Sequence, residues 1–383
     1  MKTIRLEHII SGLGSGGAET VLYRLLGALD RTRFDCRVIC LGGEGGFSVK
    51  IRALGVPVVH LNLRPGRLDP NALLRLGRLL RERRPDVGQT WMYHADLLGG
   101  MAARLAGNAP IVWGIRNTHV DARLMKRSTL LVVRACALLS HILPRRIVCC
   151  SQASCHEHVA FGYAGVKTLV IPNGFDLARF RPDPLARADV RAELSVAADT
   201  PLIGLVARFD PFKDHRNFIQ AAQALQTAHP EVHYLLCGSG VTWENESLVQ
   251  WIDSSGLRGQ MHLLGQREDV ARLMAALDIA TNASRGEAFP NVVGEAMACG
   301  TACAVTDVGD SALIVGDTGR VVPPRDPQAL ARAWNELLAL GEPGRAELGQ
   351  RARQRVLEHF NLPDMAWKYM ALYESIIGHR GNK

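Results

Sequence analysis

Short apolar runs alternate with helix-like segments along nearly the whole chain, and this alternation restricts the fold more than any other feature. The segments between the runs carry the spacing of amphipathic helices, most clearly over 19–29, 70–84 and 215–228. The predicted strands cover 4–10, 36–41, 57–61, 86–90, 111–115 and 147–150, then 202–207, 232–237, 261–264, 279–282 and 302–306. Such alternation predicts an α/β protein with parallel sheets covered on both faces by helices.

The strand series is interrupted once, and we place a domain boundary there. Ile171-Pro172-Asn173-Gly174 marks a turn, because Pro, Asn and Gly stand in a row. With 383 residues the chain has room for about two domains. We predict Rossmann-like, doubly wound domains over residues 1–172 and 173–362 that face each other across a cleft. We expect the C-terminal helix, within 363–383, to pack back onto the first domain.

The chain is basic, with a formal net charge of +8 and a pI of about 9.2. A basic protein favours anionic partners such as nucleotides or an acidic membrane leaflet. The positive charge is concentrated in two clusters in the first half: Arg75, Arg78, Arg81, Arg83 and Arg84, and then Arg123, Lys126, Arg127, Arg134, Arg145 and Arg146. We find no helix-turn-helix or aromatic-interleaved basic signal, so no nucleic-acid partner is expected.

Several features predict a cytoplasmic protein. The first ten residues are typical of a strand rather than a signal peptide, since Glu7 and His8 interrupt the apolar run. The most apolar stretch, 129–144, is shorter than the roughly twenty residues that span a bilayer. The nine cysteines form no Cys-x-x-Cys pair, which is typical of buried thiols in a reducing compartment. We assign residues 155–158, Cys-His-Glu-His, to a helix surface rather than to a metal site.

The first glycine-rich segment is Gly12-Leu13-Gly14-Ser15-Gly16-Gly17-Ala18-Glu19, between a predicted strand and a predicted helix. Its glycines allow close approach of a ligand, and a helix N-terminus favours an anion. The spacing also satisfies the dinucleotide fingerprint, but the second strand does not end in the acidic residue that this site requires. A nicotinamide site is therefore disfavoured, while a purely structural turn remains possible.

The second half carries two further patterns. Arg208 and Lys213 follow the strand 202–207, and an Arg fork with a Lys point charge suits a diphosphate. Glu287 and Glu295 are separated by seven residues in the segment Glu287-Ala288-Phe289-Pro290-Asn291-Val292-Val293-Gly294-Glu295. Pro290 suits a helix start, so backbone N–H groups over 289–292 are expected to face an anion. Carboxylates beside a phosphate site are best explained by binding to sugar and ribose hydroxyls.

Taken together, the Gly-Gly-Ala-Glu loop, the Arg208/Lys213 pair and the Glu287/Glu295 pair resemble the family 4 retaining glycosyltransferases over essentially the whole chain. The resemblance implies a GT-B fold and transfer of a sugar from a nucleotide-diphosphate donor to a lipid-linked or saccharide acceptor. A UDP-sugar is favoured, the only expected cofactor is this co-substrate, and no metal site is expected. Peripheral attachment to the inner face of the plasma membrane is a further expectation, from the cationic, amphipathic stretch 123–146.

The resemblance also implies site residues. Arg208 and Lys213 are expected to hold the diphosphate, Glu287 the transferred sugar and Glu295 the ribose. The other donor-binding candidates are Gly16, Gly17, Arg267, Phe289, Pro290, Asn291 and Val292.

One position departs from the family pattern. Many members carry a His at the end of the strand matching 111–115, where this chain has Arg116. His119, three residues later, and His94, after the preceding strand, are the other candidates for the group near the reacting sugar.

Three alternatives remain open at this point. A nucleotide-sugar 2-epimerase would share the architecture and the donor. A glycoside hydrolase would use paired carboxylates but would leave Arg208 and Lys213 unexplained. A non-enzymatic nucleotide- or nucleic-acid-binding protein would fit the charge but would leave the lack of a helix-turn-helix or aromatic-interleaved basic signal unexplained.

Overall fold

The computed structural model describes residues 3–14, 16–64, 69, 71–118 and 125–378. The chain divides into two compact units. The first unit contains Met1–Gly174 together with Leu362–Lys383, and the second contains Phe175–Asn361.

The first unit contains a parallel sheet, which has seven strands in the described residues. Its strands are β1 (Ile4–Ile10), β2 (Phe34–Cys40), β3 (Val58–His60), β4 (Val87–Trp91), β5 (Ile111–Ile115), β6 (Arg146–Cys149) and β7 (Thr168–Val170). They lie in the order β3-β2-β1-β4-β5-β6-β7. The helices between them are α1 (Gly17–Ala28), α2 (Gly46–Ala53), α3 (Ala72–Arg83), α4 (Tyr93–Leu105), α5 (Arg127–Ser140) and α6 (Gln152–Ala160), and a 3₁₀ turn (Gly165–Lys167) precedes β7.

The second unit repeats this plan with a parallel sheet of order β10-β9-β8-β11-β12-β13. Its strands are β8 (Leu202–Val206), β9 (His233–Cys237), β10 (Met261–Leu263), β11 (Ile279–Asn282), β12 (Ala302–Thr306) and β13 (Gly319–Val322). Its helices are α7 (Pro184–Glu193), α8 (His215–Leu225), α9 (Glu246–Ser255), α10 (Val270–Ala276), α11 (Asn291–Ala298), α12 (Ser311–Val315), α13 (Pro327–Ala339) and α14 (Gly341–His359), with a 3₁₀ turn at Pro211–Lys213. The prediction of two Rossmann-like, doubly wound domains is thus confirmed.

Local sequence explains these elements. Every residue of β8 is buried, as expected for a strand covered on both faces. Several helices begin at a polar residue whose side chain accepts a backbone N–H, for example Asp183 from Ala186 at 3.0 Å and Asp326 from Ala329 at 2.8 Å. Each such cap stabilises its helix by about 1 kcal/mol.

The last helix, α15 (Leu362–Gly378), lies in the first unit, where Met365, Tyr369 and Tyr373 enter the core beside β1 and β4. The boundary between units falls after Gly174 rather than after residue 172. Two contacts explain the shift, because Asn173 accepts a hydrogen bond from Arg116 at 2.8 Å and the N–H of Gly174 points at Met365 Sδ at 3.1 Å. The end of the chain, 379–383, lies outside the described residues.

Two strands escaped the sequence prediction. Thr168–Val170 and Gly319–Val322 lie at the outer edges of their sheets, and most of their residues are only partly buried. Their side chains therefore lack the continuous apolar run by which a central parallel strand is identified.

The assignment of residues 155–158 to a helix surface was wrong for His158. This side chain is fully buried, with Nε2 2.7 Å from the Tyr93 hydroxyl and Nδ1 2.8 Å from the Ser154 carbonyl oxygen. Burial lowers the pKa of His158 to about 4, so it is a neutral core histidine. The sequence pattern did not reveal its partner, which lies on another helix.

Candidate functional site

The topology of the second unit determines where its candidate residues meet. β8 and β11 are neighbours in the sheet, and the strand order reverses between them. In open parallel sheets, ligands bind outside the carboxyl ends of the strands at such a reversal. Two loops lie there: 207–214 follows β8, and 283–290 follows β11. These loops carry the predicted Arg208, Lys213 and Glu287.

Lys213 and Glu287 form an ion pair, although 74 positions separate them in the sequence. Ser284 also donates a hydrogen bond to Oε1 of Glu287, at 2.7 Å. Both charged side chains are mostly buried but keep some exposure. The structure thus brings together a cation suited to phosphate and a carboxylate suited to hydroxyls.

A second ion pair joins the same loops. Arg285 donates to both carboxylate oxygens of Asp214, through Nε at 2.6 Å and Nη2 at 2.7 Å. The backbone N–H of Arg285 also donates to the Phe212 carbonyl, at 2.7 Å. This pair was not predicted from the sequence, because it depends on a bidentate contact between residues 71 positions apart.

Arg208 is the most exposed of the predicted cations, with 59% of its side chain accessible. Its guanidinium lies 3.2 Å from the Asp210 carboxylate, which also caps the 3₁₀ turn by accepting the Phe212 N–H at 2.9 Å. Arg208 is therefore anchored by one acidic neighbour on its own loop and still offers donors to solvent.

The predicted helix over the Glu287/Glu295 segment is α11, which begins at Asn291 with Pro290 as its N-cap. The ring of Phe289 is buried and stacks on Phe175 with centroids 6.1 Å apart, so its side chain serves the core and only its backbone suits ligand contact. Glu295 lies in the second turn of the helix and is largely buried.

Arg267 follows β10 and is held by two carboxylates. Its Nε and Nη2 each donate to Asp269 at 2.8 Å, and its Nη2 also contacts Glu193 at 3.3 Å. The hydrogen bond from Arg267 is the main cause that lowers the pKa of Asp269 to about 2. Because these carboxylates take up the donors of its guanidinium, Arg267 stabilises the loop that follows β10.

Two loops of the second unit were missed as candidate site segments. Gly238 follows β9, and a side chain there would overlap the carbonyl of Ala207, just before Arg208. Gly309 follows β12 at a φ of +56°, and a side chain there would overlap the backbone of Glu287 and Ala288. A glycine directly after β9 and another three residues after β12 were the signal available in the sequence.

The first unit has its own reversal of strand order, between β1 and β4. The glycine-rich loop follows β1, with Gly16 as the N-cap of α1 and Gly17 as its first residue. Ser15 lies outside the described residues. Glu19 is buried in the first turn of the helix. The loop is thus a strand-to-helix turn with a backbone N-terminus at the ligand edge of the sheet.

The β4–α4 loop lies on the other side of this reversal. Met92 has a φ of +71°, which is rare outside glycine, and its N–H donates to the Gly114 carbonyl at 2.9 Å. His94 follows in the first turn of α4; it is exposed, and the surrounding protein lowers its pKa through partial desolvation. Strained backbone of this kind is concentrated at functional sites.

Arg116 follows β5, but its guanidinium is engaged. Nη1 donates to Asn173 at 2.8 Å, Nη2 donates to the Tyr369 hydroxyl, and the group lies 4.5 Å from the centre of the Trp91 ring. Arg116 therefore ties the end of the strand to α15. The third candidate, His119, lies outside the described residues.

Comparison with known proteins matches both halves of the chain. The family model described as Glycosyltransferase Family 4 matches residues 15–179, and the model described as Glycosyl transferases group 1 matches residues 200–339. The chain is 29% identical to the protein EpsF of Bacillus subtilis over 321 residues, which is 79% of each protein. It is 24% identical to the UDP-Gal:alpha-D-GlcNAc-diphosphoundecaprenol alpha-1,3-galactosyltransferase of Escherichia coli, covering 82% of this chain and 81% of that one.

Solved structures give the same picture of the fold. HepE from Anabaena in complex with UDP superposes with a TM-score of 0.85 at 24% identity, covering 97% of this chain and all of that one. Sucrose-phosphate synthase from Thermosynechococcus elongatus superposes with a TM-score of 0.81 at 21% identity, covering 98% of this chain. The fold is therefore the two-domain GT-B type, and the chain is a glycosyltransferase. More particularly, a Family 4 match in its first half is followed by a group 1 match in its second half.

Proposed function

We propose that this enzyme is a retaining glycosyltransferase that moves a sugar from a UDP-sugar to a lipid-linked or saccharide acceptor, in the synthesis of a cell-surface polysaccharide or glycolipid. The observation that carries the proposal is the Lys213–Glu287 ion pair at the strand reversal of the second unit. The E. coli relative is named for a UDP donor and a diphosphoundecaprenol-linked acceptor, and HepE was crystallised with UDP and with UDP-glucose.

The donor is assigned to the second unit. Lys213 and the exposed Arg208 bind the diphosphate, together with the backbone N–H groups of Phe289, Asn291 and Val292 at the start of α11. Glu287 accepts hydrogen bonds from hydroxyls of the transferred sugar, and Glu295 from those of the ribose. Arg267 shapes the loop beside the base of the nucleotide.

The acceptor is assigned to the first unit. Of the three candidates near the reacting sugar, we propose His94, because it is exposed on a strained loop and its lowered pKa keeps the imidazole neutral near pH 7. A neutral imidazole can accept a hydrogen bond from a sugar hydroxyl beside the reacting one. Arg116 acts as a structural tie, because both of its Nη atoms already donate to protein groups.

In the proposed reaction, the bond from the sugar C1 to the diphosphate oxygen breaks and a bond from C1 to the acceptor oxygen forms on the same face. The acceptor proton passes to the leaving diphosphate oxygen. Arg208, Lys213 and the helix N-terminus stabilise the negative charge that grows on the diphosphate. Since these groups supply the positive charge, we propose that transfer is metal-independent and persists in excess chelator.

The deciding experiment incubates the purified chain with UDP- and GDP-sugars, with and without an undecaprenyl-diphosphate saccharide. We expect transfer only with acceptor present. Lys213→Ala and Glu287→Gln are expected to lower kcat/KM by about 10²–10³-fold, the range for loss of a group that stabilises transition-state charge. Conversion of donor without acceptor would identify an epimerase instead, and normal transfer by Lys213→Ala would refute the assigned site.

We also propose that one face of the first unit rests on an anionic membrane surface. α5 presents Arg127, Leu131, Arg134 and Leu138 along one exposed stripe, and Leu131 and Leu138 are 64% and 75% accessible. Arg145 and Arg146 are exposed just beyond the helix. Exposed leucines between arginines are typical of helices that lie in a lipid interface. Within the described residues, no helix is long and apolar enough to cross a membrane.

A further inference from the structure

We propose that the Arg285–Asp214 ion pair is a positioning device that fixes the distance between Lys213 and Glu287 during transfer. This inference rests on the proposed function, since it assigns Lys213 to the diphosphate and Glu287 to the sugar. Arg285 and Asp214 are positioning residues in this view, because they act through their neighbours in sequence rather than by touching the donor.

The pair is strongly held. The guanidinium of Arg285 meets both carboxylate oxygens of Asp214, and only 2% of the Asp214 side chain is accessible. Bidentate geometry fixes orientation as well as distance, which a single point charge does not. Asp214 also caps α8 by accepting the Asn217 N–H at 3.3 Å, at a φ of +48°. The pair therefore joins the β11–α11 loop to the first turn of a buried helix.

The placement of the pair explains its effect on the site. Asp214 directly follows Lys213, and Arg285 precedes Glu287 by two residues. The two loops are thus tied in three ways: by Arg285–Asp214, by the backbone hydrogen bond from Arg285 to Phe212, and by Lys213–Glu287. A bound diphosphate competes with Glu287 for the ammonium of Lys213. The other two ties then keep the loops in register.

Charge gives a second reason for the pair. Asp214 places a buried carboxylate next to the cation that is assigned to the diphosphate. Paired with Arg285, this carboxylate is compensated; left alone, it would be a buried uncompensated charge that attracts Lys213 away from the donor. The pair thus holds the loops and keeps Lys213 available to phosphate.

The test compares Arg285→Ala, Arg285→Lys and Asp214→Asn in the full chain. Asp214→Asn retains an oxygen that can cap α8, and Asn tolerates this backbone conformation, so this variant is expected to fold. In Arg285→Ala and Asp214→Asn we expect kcat to fall by about 10- to 100-fold, the loss that follows when a reacting group is misplaced by about 1 Å. UDP affinity, measured by calorimetry, should fall less, because Arg208 and the start of α11 still bind phosphate. Arg285→Lys should be intermediate.

The chain offers a matched control at the opposite end of β11. Arg187 pairs with Asp278, just before that strand, at 2.8 Å; its side chain is 28% accessible, compared with 36% for Arg285. Arg187→Ala should lower the melting temperature about as much as Arg285→Ala while leaving kcat unchanged. Equal kcat in Arg187→Ala, Arg285→Ala and Asp214→Asn would overturn the inference. Normal transfer by Lys213→Ala would instead refute the proposed function itself, so the two failures are distinguishable.

Discussion

At the scale of single residues, the sequence pattern identified the charged candidate residues of the site. It did not identify the side chains that form ion pairs or hydrogen bonds with them. Lys213 and Glu287 stand out in the sequence as candidates because their residue types and spacing suit phosphate and hydroxyl binding. Their contact with each other, and the partners of Arg116, depend on which strands are neighbours in the sheet. That information lies in the tertiary structure, so the sequence left Arg116 open as a catalytic candidate.

Asp96 carries a residue-scale prediction about pH. Its carboxyl group is fully buried, with Oδ1 accepting from Thr90 Oγ1 at 2.5 Å and from the Gly114 N–H at 3.2 Å. Burial raises the pKa of Asp96 to about 8 from an ordinary value of 3.8. At a pH between these two pKa values, Asp96 keeps its proton in the folded chain and has lost it in the unfolded chain. Stability from this group is fully present below about pH 4, is lost progressively as pH rises, and is gone above about pH 8.

We therefore expect Asp96→Asn to gain stability relative to the natural chain as pH rises from 5 to 8. The difference in unfolding free energy should change by about 1.4 kcal/mol per pH unit in this window. Urea unfolding at several pH values measures it, with Glu157→Gln, at an exposed position of α6, as the control. A constant difference between Asp96→Asn and the natural chain would contradict a protonated Asp96.

At the scale of elements, the central strands were predicted, but two of the four edge strands, β7 and β13, were not. β8 and β12 are buried at every residue, and each appears in the sequence as a nearly continuous apolar run. β7 and β13 border their sheets and lack that run. The C-terminal helix was expected to pack back onto the first domain, but its place beside β4 rests on contacts between residues far apart in the chain. Tyr369, for example, receives a hydrogen bond from Arg116, 253 positions earlier.

The attachment of α15 is testable through this contact. Tyr369 is fully buried, stacks on Trp91 with centroids 6.3 Å apart and accepts a hydrogen bond from Arg116. Tyr369→Phe keeps the ring and removes the acceptor, so we expect a loss of about 1.5–3 kcal/mol, the range for hydrogen bonds to charged groups. Urea unfolding followed by circular dichroism measures the loss. Trp367→Phe, at an exposed site on the same helix, should change stability by less than about 0.5 kcal/mol.

At the scale of the whole molecule, both sheets share one strand plan, and each unit presents different chemical groups at the same place in that plan. In each sheet the strand order reverses once, between β1 and β4 in the first unit and between β8 and β11 in the second. Each reversal places two loops at the carboxyl edge of its sheet. The first unit offers backbone and an exposed histidine there, whereas the second offers cations and carboxylates. The two parallel sheets covered by helices could be predicted from the alternation of apolar runs and amphipathic segments, because that pattern follows the order of strands and helices. The difference in chemistry depends on a few loop residues.

The proposed membrane surface gives the last prediction, which concerns how the whole chain associates with lipid. We expect the chain to co-sediment with vesicles containing phosphatidylglycerol, to bind purely zwitterionic vesicles weakly, and to be released as salt rises, since each arginine near an anionic surface contributes about 1 kcal/mol. Leu131→Asp combined with Leu138→Asp should abolish binding by removing apolar contact and adding negative charge. Leu185→Asp, on an equally exposed leucine of the second unit, should bind like the natural chain. Equal loss in both variants, or no binding to anionic vesicles at low salt, would remove α5 as the lipid-facing element.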